Sequence, residues 1–502
     1  MFSKLKNDIP ASVVVFLVAL PLCLGVALAS GAPLLSGVIA GIIGGIIVGI
    51  LSESHVSVSG PAAGLAAVVL SAINELSSFD TFLLAVLIAG CIQVAAGVLK
   101  GGLIANYIPS NVIKGLLAAI GIILIIKQVP HAVGYDRAIQ GEGESSFFDL
   151  LNIMPFISWG AIIISLLSIF IMIYWDKTPM KKIKFFPASL FVVVLGVLLN
   201  MLFQHSYPSI AINPKHLVNI PAFTGINSLF TFPNFQAIGN YHVWIVALTI
   251  AIVASLETLL NLEAVENIDP HKRQASPNRE LIAQGVGNVF SGLAGGIPIT
   301  SVIVRSSVNI NAGGETKLST ILHGIFLLIS ILLLSPILNL IPLASLASIL
   351  LLTGYKLAKV SLFKDMYSKG FNQFIPFIAT ILAIVFTDLL IGVFIGLAIS
   401  IFYLLKSNYK NAFTIETPMH SGKENLKMIL SEEVSFLNKA SIKEALIAIP
   451  ENSTLTIDAS RSTHIDYDVI EIISDFISVQ SKEKNIQTEL IGFSGDFKLS
   501  NA

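Results

Sequence analysis

The sequence predicts an all-α polytopic membrane protein with a small α/β domain at its C-terminal end. Three observations carry this. The chain is 54% hydrophobic and only 12% charged, with a mean hydropathy of +0.82, whereas soluble domains carry roughly 25% charged residues. Apolar segments of the length that a membrane span requires recur up to about residue 406. Beyond that point the composition becomes mixed, and apolar residues fall at strand and helix spacing.

The spans fall at about 9–31, 34–52, 60–76, 80–100, 109–130, 157–175, 185–203, 241–263, 280–294, 300–311, 317–338, 340–356, 373–388 and 390–406. That is about fourteen, and the basic residues agree with an even number. With the N-terminus inside, the cytoplasmic side holds Lys4 and Lys6, Lys100, then Lys177, Lys181, Lys182 and Lys184, then Lys272, Arg273 and Arg279, then Lys356, Lys359, Lys364 and Lys369. The long outer loops, about 131–156 and 204–240, show only Arg137 and Lys215. Excess Lys and Arg mark the cytoplasmic side, so both termini are expected in the cytoplasm of a multi-pass protein of the cell (inner) membrane. The start, MFSKLKNDIP, runs into a long span with no clear cleavage site and reads as no removable signal peptide. Cys23 and Cys91 both fall in apolar spans and read as packing residues rather than a disulfide or metal pair. The net charge of -1 says nothing about partners. No HExxH, CxxC, nucleophile elbow or Walker sequence occurs, and no enzyme is expected.

The expected division is a membrane domain over 1–410 and a soluble domain over 420–502. In the latter, STLTIDAS (453–460) and IQTELIGF (486–493) read as buried strands. NKASIKEALIAI (438–449) and DYDVIEIISDFISVQSKEK (466–484) repeat apolar residues at helical spacing, and a further strand is read at 424–430. Alternating strands and helices predict a small α/β layer.

Two spans are interrupted. VSVSGPAAGLAAVVL (56–70) opens with an extended approach, and Pro61 is expected to start its helix. GGIPITSVIVRSS (295–307) cannot begin as regular helix, because Pro298 lacks a donor and the glycines favour other backbone angles. These are the third and tenth spans, corresponding places in two halves, a pattern of inverted-repeat transporters with a midplane site. Half-helix N-termini carry partial positive charge and free N–H groups, which suit an anion. Arg305 adds a full charge and a planar fork of donors. Glu257 is the other ionisable residue deep in a span, a candidate proton- or sodium-linked carboxylate and a counter-charge for Arg305. Thr258 and Asn261 are candidate oxygen ligands for a cation, Asn261 lying one turn on from Glu257. His323 reads as a hydrogen-bonded packing histidine, and His55 and Glu53 as solvated loop residues. The glycines of GVIAGIIGGIIVG (37–49) let helices approach closely.

The chain resembles the SulP family of inorganic-anion transporters with a C-terminal STAS domain. The resemblance rests on DIPASVVVFLVALPLCLGVALASGAPLLSGVIAGIIGG (8–45), VSGPAAGL (58–65) and SPNRELIAQGVGNVFSGLAGGIPITSVIVRSSVNINAGGETKLS (276–319), the last being the most specific. It implies a seven-plus-seven inverted repeat in core and gate domains, an elevator-like slide, and a homodimer. It also implies an anion held between half-helices 3 and 10, beside helices 1 and 8. Carried over, Ser59, Gly60, Pro61 and Ala62 start half-helix 3, and Thr300, Ser301, Val302, Ile303, Val304 and Arg305 start half-helix 10. Pro21, Leu22 and Cys23 fall where helix 1 passes the site, and Glu257 matches an acidic position of helix 8. Relatives with glutamate there resemble proton-coupled carriers, whereas sodium-coupled ones tend to show aspartate with threonine one turn on. The pair here is Glu257 and Asn261, which weakens the sodium reading and leaves both ions open. The tail resembles a STAS domain at SFLNKASIKEAL (435–446) and LTIDASRSTHIDYDVIEII (455–473), but Asp466-Tyr467-Asp468-Val469 replaces the family's Asp-Ser-Ser-Gly. It is expected to meet a cytoplasmic partner or to stabilise a dimer.

The leading expectation is a secondary transporter of sulfate or bicarbonate without a cofactor, moved with H+ or Na+, in the lipid bilayer and without nucleic acid. The alternative on the same fold is an anion channel or exchanger, for chloride or a similar ion, which has no need of Glu257. A nucleobase carrier shares the membrane fold but not the tail, and a cation behind the half-helix argues against an uncharged base.

Overall fold

The structure, a computed structural model, describes residues 4–102, 109–135, 157–175, 187–220, 230–387, 389–410, 413–416 and 425–493. Arg137, Lys177, Lys181, Lys182 and Lys184 of the orientation argument lie outside the described residues, as do 420–424 and 494–502 of the expected tail. The chain divides into two compact units, Met1–Ser368 with Phe377–Phe394, and Lys369–Pro376 with Ile395–Ala502.

A first set of elements comprises α1 (Leu5–Ala29), α2 (Leu34–Leu51), β1 (Ser59–Pro61), α3 (Ala63–Leu76), α4 (Phe79–Val98), α5 (Ser110–Val133), α6 (Trp159–Tyr174) and α7 (Ala188–Ser206). A second repeats the order with α8 (Tyr241–Ile268), α9 (Pro277–Ala294), β2 (Ile299–Ser301), α10 (Ile303–Asn311), α11 (Lys317–Leu338), α12 (Leu343–Leu357), α13 (Val360–Ser368), α14 (Phe371–Phe386) and α15 (Leu389–Lys410). Each expected span has a helix in its place. The short α13 has no counterpart among them, since its charged VSLFKDMYS is too polar to read as a span. Among the described residues, eight helices are long and apolar enough to cross a membrane, with α12 and α13 counted as one stretch, Leu343–Ser368. Leu166, Phe170, Leu198, Met201, Leu333 and Phe386 are exposed large apolar side chains, the surface that lipid covers. Cys91, expected as packing, is likewise exposed, while Cys23 is buried; both are free thiols.

The two interruptions are short strands. Ser59 pairs with Ser301, Gly60 with Thr300 and Pro61 with Ile299, antiparallel. Val302 N–H extends the ladder to Val58 O at 3.0 Å. Pro61 therefore does not start α3, as expected, but closes β1; having no N–H, it loses no ladder bond there. Before β2 the chain leaves α9 through Gly295 at φ +89, a left-handed turn that favours glycine. α2 contains a π turn at Gly44–Val48 that packs against β1. Glu53, read as solvated, keeps 40% of its side chain exposed, and it also pairs with Arg279 at 3.3 Å and accepts from Ser276 N at 3.2 Å at the start of α9.

The C-terminal unit contains β3 (Phe413–Glu416), β4 (Asn425–Leu430), β5 (Glu433–Val434), α16 (Lys439–Ile447), β6 (Thr454–Asp458), β7 (His464–Ile465), α17 (Tyr467–Asp475) and β8 (Gln487–Ile491). The main sheet has the order β3-β4-β6-β8, with β4, β6 and β8 parallel and β3 antiparallel. Met428, Leu455, Ile457, Ile442, Leu446, Val469 and Ile473 form its core. This small α/β layer fits a STAS domain. β8, expected as a buried strand, is an edge strand whose Leu490 and Ile491 are exposed, because only β6 pairs with it. Asp466 caps α17 by accepting from Asp468 N at 3.0 Å, doing the N-cap work that serine also does. Lys427 at 2.8 Å, with the Ser460 hydroxyl and amide, holds the Asp458 carboxyl well below the usual carboxylate range. That stabilisation is present above the unfolded pKa and is lost as pH falls through the lower folded value.

Candidate anion-binding site

The antiparallel pairing sends α3 and α10 away from the β1–β2 crossing in opposite directions, so both N-terminal ends lie at it. α1 and α8, the first helices of the two sets, both pack against the crossing and the half-helices. Neither half-helix is capped by a side chain: their N-cap residues are Ala62 and Val302. Ser78, Ser158, Asn240, Ser276 and Thr316 do cap α4, α6, α8, α9 and α11. The first N–H groups of α3 and α10 have no intrahelical acceptor, so the crossing concentrates donors and the positive ends of two helices.

Alternate residues of such a ladder turn their backbone polar groups outward. In a membrane interior each must find a partner or cost several kcal/mol. On β2, Ser301 O accepts from Asn261 Nδ2 at 2.7 Å, and Ser301 N donates to Thr258 Oγ1 at 3.4 Å. Both residues were expected as cation ligands, and each has one polar atom engaged on the β2 backbone. On β1, Pro61 O accepts from Arg305 Nη2 at 3.2 Å. The hydroxyls of Ser57 and Ser301 bond across the crossing at 2.7 Å.

Arg305 is 1% exposed and heads the largest fully buried side chains. Its Nε and Nη1 have no hydrogen-bond partner among the described residues. The Cys23 thiol of α1 lies beside the guanidinium. Gly60 makes room for it: a Cβ there falls 2.2 Å from Nη1. Gly41 in turn admits the Cys23 sulfur, which a Cβ meets at 2.6 Å.

Glu257 does not serve as the expected counter-charge. No ion pair joins it to Arg305, whose bonded nitrogen is turned to Pro61. Its carboxylate packs instead on the first turn of α3, where a Cβ on Gly64 falls 2.4 Å from Oε1. Oε2 is buried with no hydrogen-bond partner among the described residues. Ala63, Glu257, Asn261, Val302 and Ile303 keep some surface, whereas Gly60, Thr300, Ser301 and Arg305 are sealed. The accessible side thus holds the carboxylate and helix ends, with the guanidinium behind. His323 is fully buried and uses Nδ1 on Thr320 O, the hydrogen-bonded packing role expected.

Gly64 was not singled out in the sequence; its signal is a glycine in the first turn of a half-helix. Gly64→Ala is expected to push Glu257 off α3. A displacement of about 1 Å can cost on the order of 100-fold in rate, so anion uptake into proteoliposomes should fall at least about tenfold. Normal uptake by correctly inserted Gly64→Ala protein would show that this packing is not needed.

Known proteins resemble this chain over most of its length. Residues 5–380 match the model of the sulfate permease family. The putative sulfate transporter YvdB of Bacillus subtilis is 27% identical over 413 residues, 80% of this chain and 74% of that protein. The bicarbonate transporter BicA of Picosynechococcus is 26% identical over 437 residues, 85% and 73% of the two chains. The solved transmembrane domain of a cyanobacterial BicA superposes with a TM-score of 0.68 at 26% identity, covering 78% of this chain and 98% of that one. SLC26A9 shares the fold over 99% of this chain and 86% of its own, with a TM-score of 0.77 at 17% identity. A family match running from the first helix into α14, on a chain whose paired breaks meet at one buried crossing, makes this protein a member of the sulfate permease family, a family of transporters and not of enzymes.

Proposed function

We propose that the protein is a secondary active transporter of a small inorganic anion, sulfate or bicarbonate. The anion binds at the uncapped N-termini of α3 and α10, within Ser59–Ala62 and Thr300–Val302, with Arg305 and Cys23 behind it. The observation that carries the reading is the Arg305 guanidinium, sealed from the surface with two nitrogens unpartnered among the described residues. A buried unpaired cation is costly, and an anion drawn to the crossing offsets that cost. Arg305 sets the field of the site, while backbone N–H groups make the direct contacts.

Glu257 couples the anion to a cation. Its carboxylate on the first turn of α3 competes with the anion for the same positive helix end. A proton or sodium ion that neutralises Glu257 frees that end, so anion and cation enter together. Asn261 keeps its Oδ1 for a cation while Nδ2 holds Ser301. Movement is an elevator-like slide of the helices bearing the crossing, in a homodimer of the inner cell membrane with both termini cytoplasmic. The α/β tail serves as a contact for a second copy or a cytoplasmic partner.

The test is uptake of labelled sulfate and labelled bicarbonate into proteoliposomes, each under a proton or a sodium gradient. Accumulation of one anion under one gradient is expected. Passive equilibration that ignores both gradients would favour a channel or exchanger on the same fold.

A further inference from the structure

α9 carries Glu280, Gln284, Asn288 and Ser291, all fully buried. Their spacing places them within about 80° of one helix face. Together they run along the crossing. Glu280 Oε2 accepts from Ser52 Oγ at 2.5 Å, and Oε1 accepts from Gln284 Nε2 at 2.9 Å. Gln284 Nε2 also donates to Ser59 Oγ of β1 at 2.6 Å. Asn288 treats β2 as a neighbouring strand would: Oδ1 accepts from Ile299 N at 2.6 Å, and Nδ2 donates to Ile299 O at 3.1 Å. Ser291 Oγ donates to Ile297 O at 2.7 Å.

The ladder is itself anchored. Asn288 Nδ2 donates to Gln93 Oε1 of α4 at 2.6 Å, and Gln93 Nε2 reaches Ser255 Oγ of α8 at 3.2 Å. α9 seats on α4 where Gly90 and Gly285 face each other; a Cβ on either meets the other's carbonyl at 2.6 or 2.7 Å. The Glu280 oxygen that accepts from Nε2 fixes which end of the Gln284 amide faces Ser59.

We propose that this face of α9 is the positioning device of the anion site: Gln284 holds β1, Asn288 holds β2, and the placement of the two half-helix N-termini, hence anion affinity, is set from α9. β1 and β2 share only three residue pairs, too few to hold two helix ends alone. With Thr258 and Asn261 on Ser301 and Asn288 on Ile299, both outward residues of β2 are held by side chains of flanking helices. The consequence for affinity rests on the transport reading above; the clamp itself does not.

Asn288→Ala and Gln284→Leu test this in the full-length protein, with two readouts. Hydrogen exchange should rise at residues 58–62 and 297–303 and stay unchanged in α5, α7 and α12. In proteoliposomes the KM for labelled sulfate or bicarbonate should rise at least about tenfold, with Vmax per inserted protein within about twofold. Asn288→Asp keeps the acceptor for Ile299 N–H and should give a smaller shift; it decides the matter if Asn288→Ala does not fold. Unchanged exchange at the crossing, exchange raised throughout the membrane unit, or a loss confined to Vmax would each overturn the proposal. If the wild type moves neither anion, the transport reading fails, and the exchange data still decide the clamp.

Discussion

Arg305→Ala is expected to weaken anion binding by about 30- to 3,000-fold. Truncating one member of a desolvated charge pair costs roughly 2–5 kcal/mol, and about 1.4 kcal/mol corresponds to tenfold in affinity. The effect is large because the guanidinium is sealed behind the helix ends, where no solvent screens it. Alanine also strands the Pro61 carbonyl, which accepts from Nη2. Arg305→Lys keeps the charge but not the planar fork that bonds Pro61, and should fall between the two. Equilibrium titration of the purified protein with sulfate and with bicarbonate reads the effect. Wild-type affinity in folded Arg305→Ala protein would remove the anion from this site.

Glu257→Gln should abolish gradient-driven accumulation while leaving exchange of internal for external anion. Glutamine keeps the shape that packs on Gly64 but carries no charge to neutralise. In the wild type, uptake should rise with the inward gradient of whichever cation neutralises Glu257: with external acidity for a proton, with external sodium for sodium. Glutamine resembles the neutralised form at every pH, so that dependence should flatten. The loss belongs to coupling: with residue 257 uncharged, the α3 helix end is open to the anion without a cation. A Glu257→Gln protein that keeps the wild-type pH or sodium dependence would take Glu257 out of the coupling role.

Much of this architecture was legible in the sequence because lipid imposes strong patterns. Apolar length located the spans, and Gly60-Pro61 and Gly295-Gly296-Ile297-Pro298 marked the two breaks. Arg305 stood out because a lone cation in an apolar span is rare. Other features depended on directions that spacing does not encode. Pro61 sits equally well at a helix start and at the end of a strand, and only the partner strand at Ile299 decides between them. Glu257 and Arg305 were the two buried opposite charges, yet they face different partners, Gly64 and Pro61. Asn261 reads as an oxygen ligand one turn on from Glu257, and only the structure shows that its Nδ2 also holds Ser301 of β2. Glu280, Gln284, Asn288 and Ser291 carried a readable signal, polar residues recurring on one face of a span. Their role becomes specific only once β1 and β2 lie beside α9. In the tail, alternation located β8 but not its place at the sheet edge, which follows from strand order.

The most direct test of the central claim is backbone hydrogen exchange in the purified protein, with saturating sulfate or bicarbonate compared with gluconate. Binding at the crossing predicts that exchange slows together at 62–66 and 302–306 when the transported anion is added. It also predicts that Arg305→Ala removes both effects. Slowing at one segment alone, or anywhere other than the crossing, would contradict an anion held between the two half-helices.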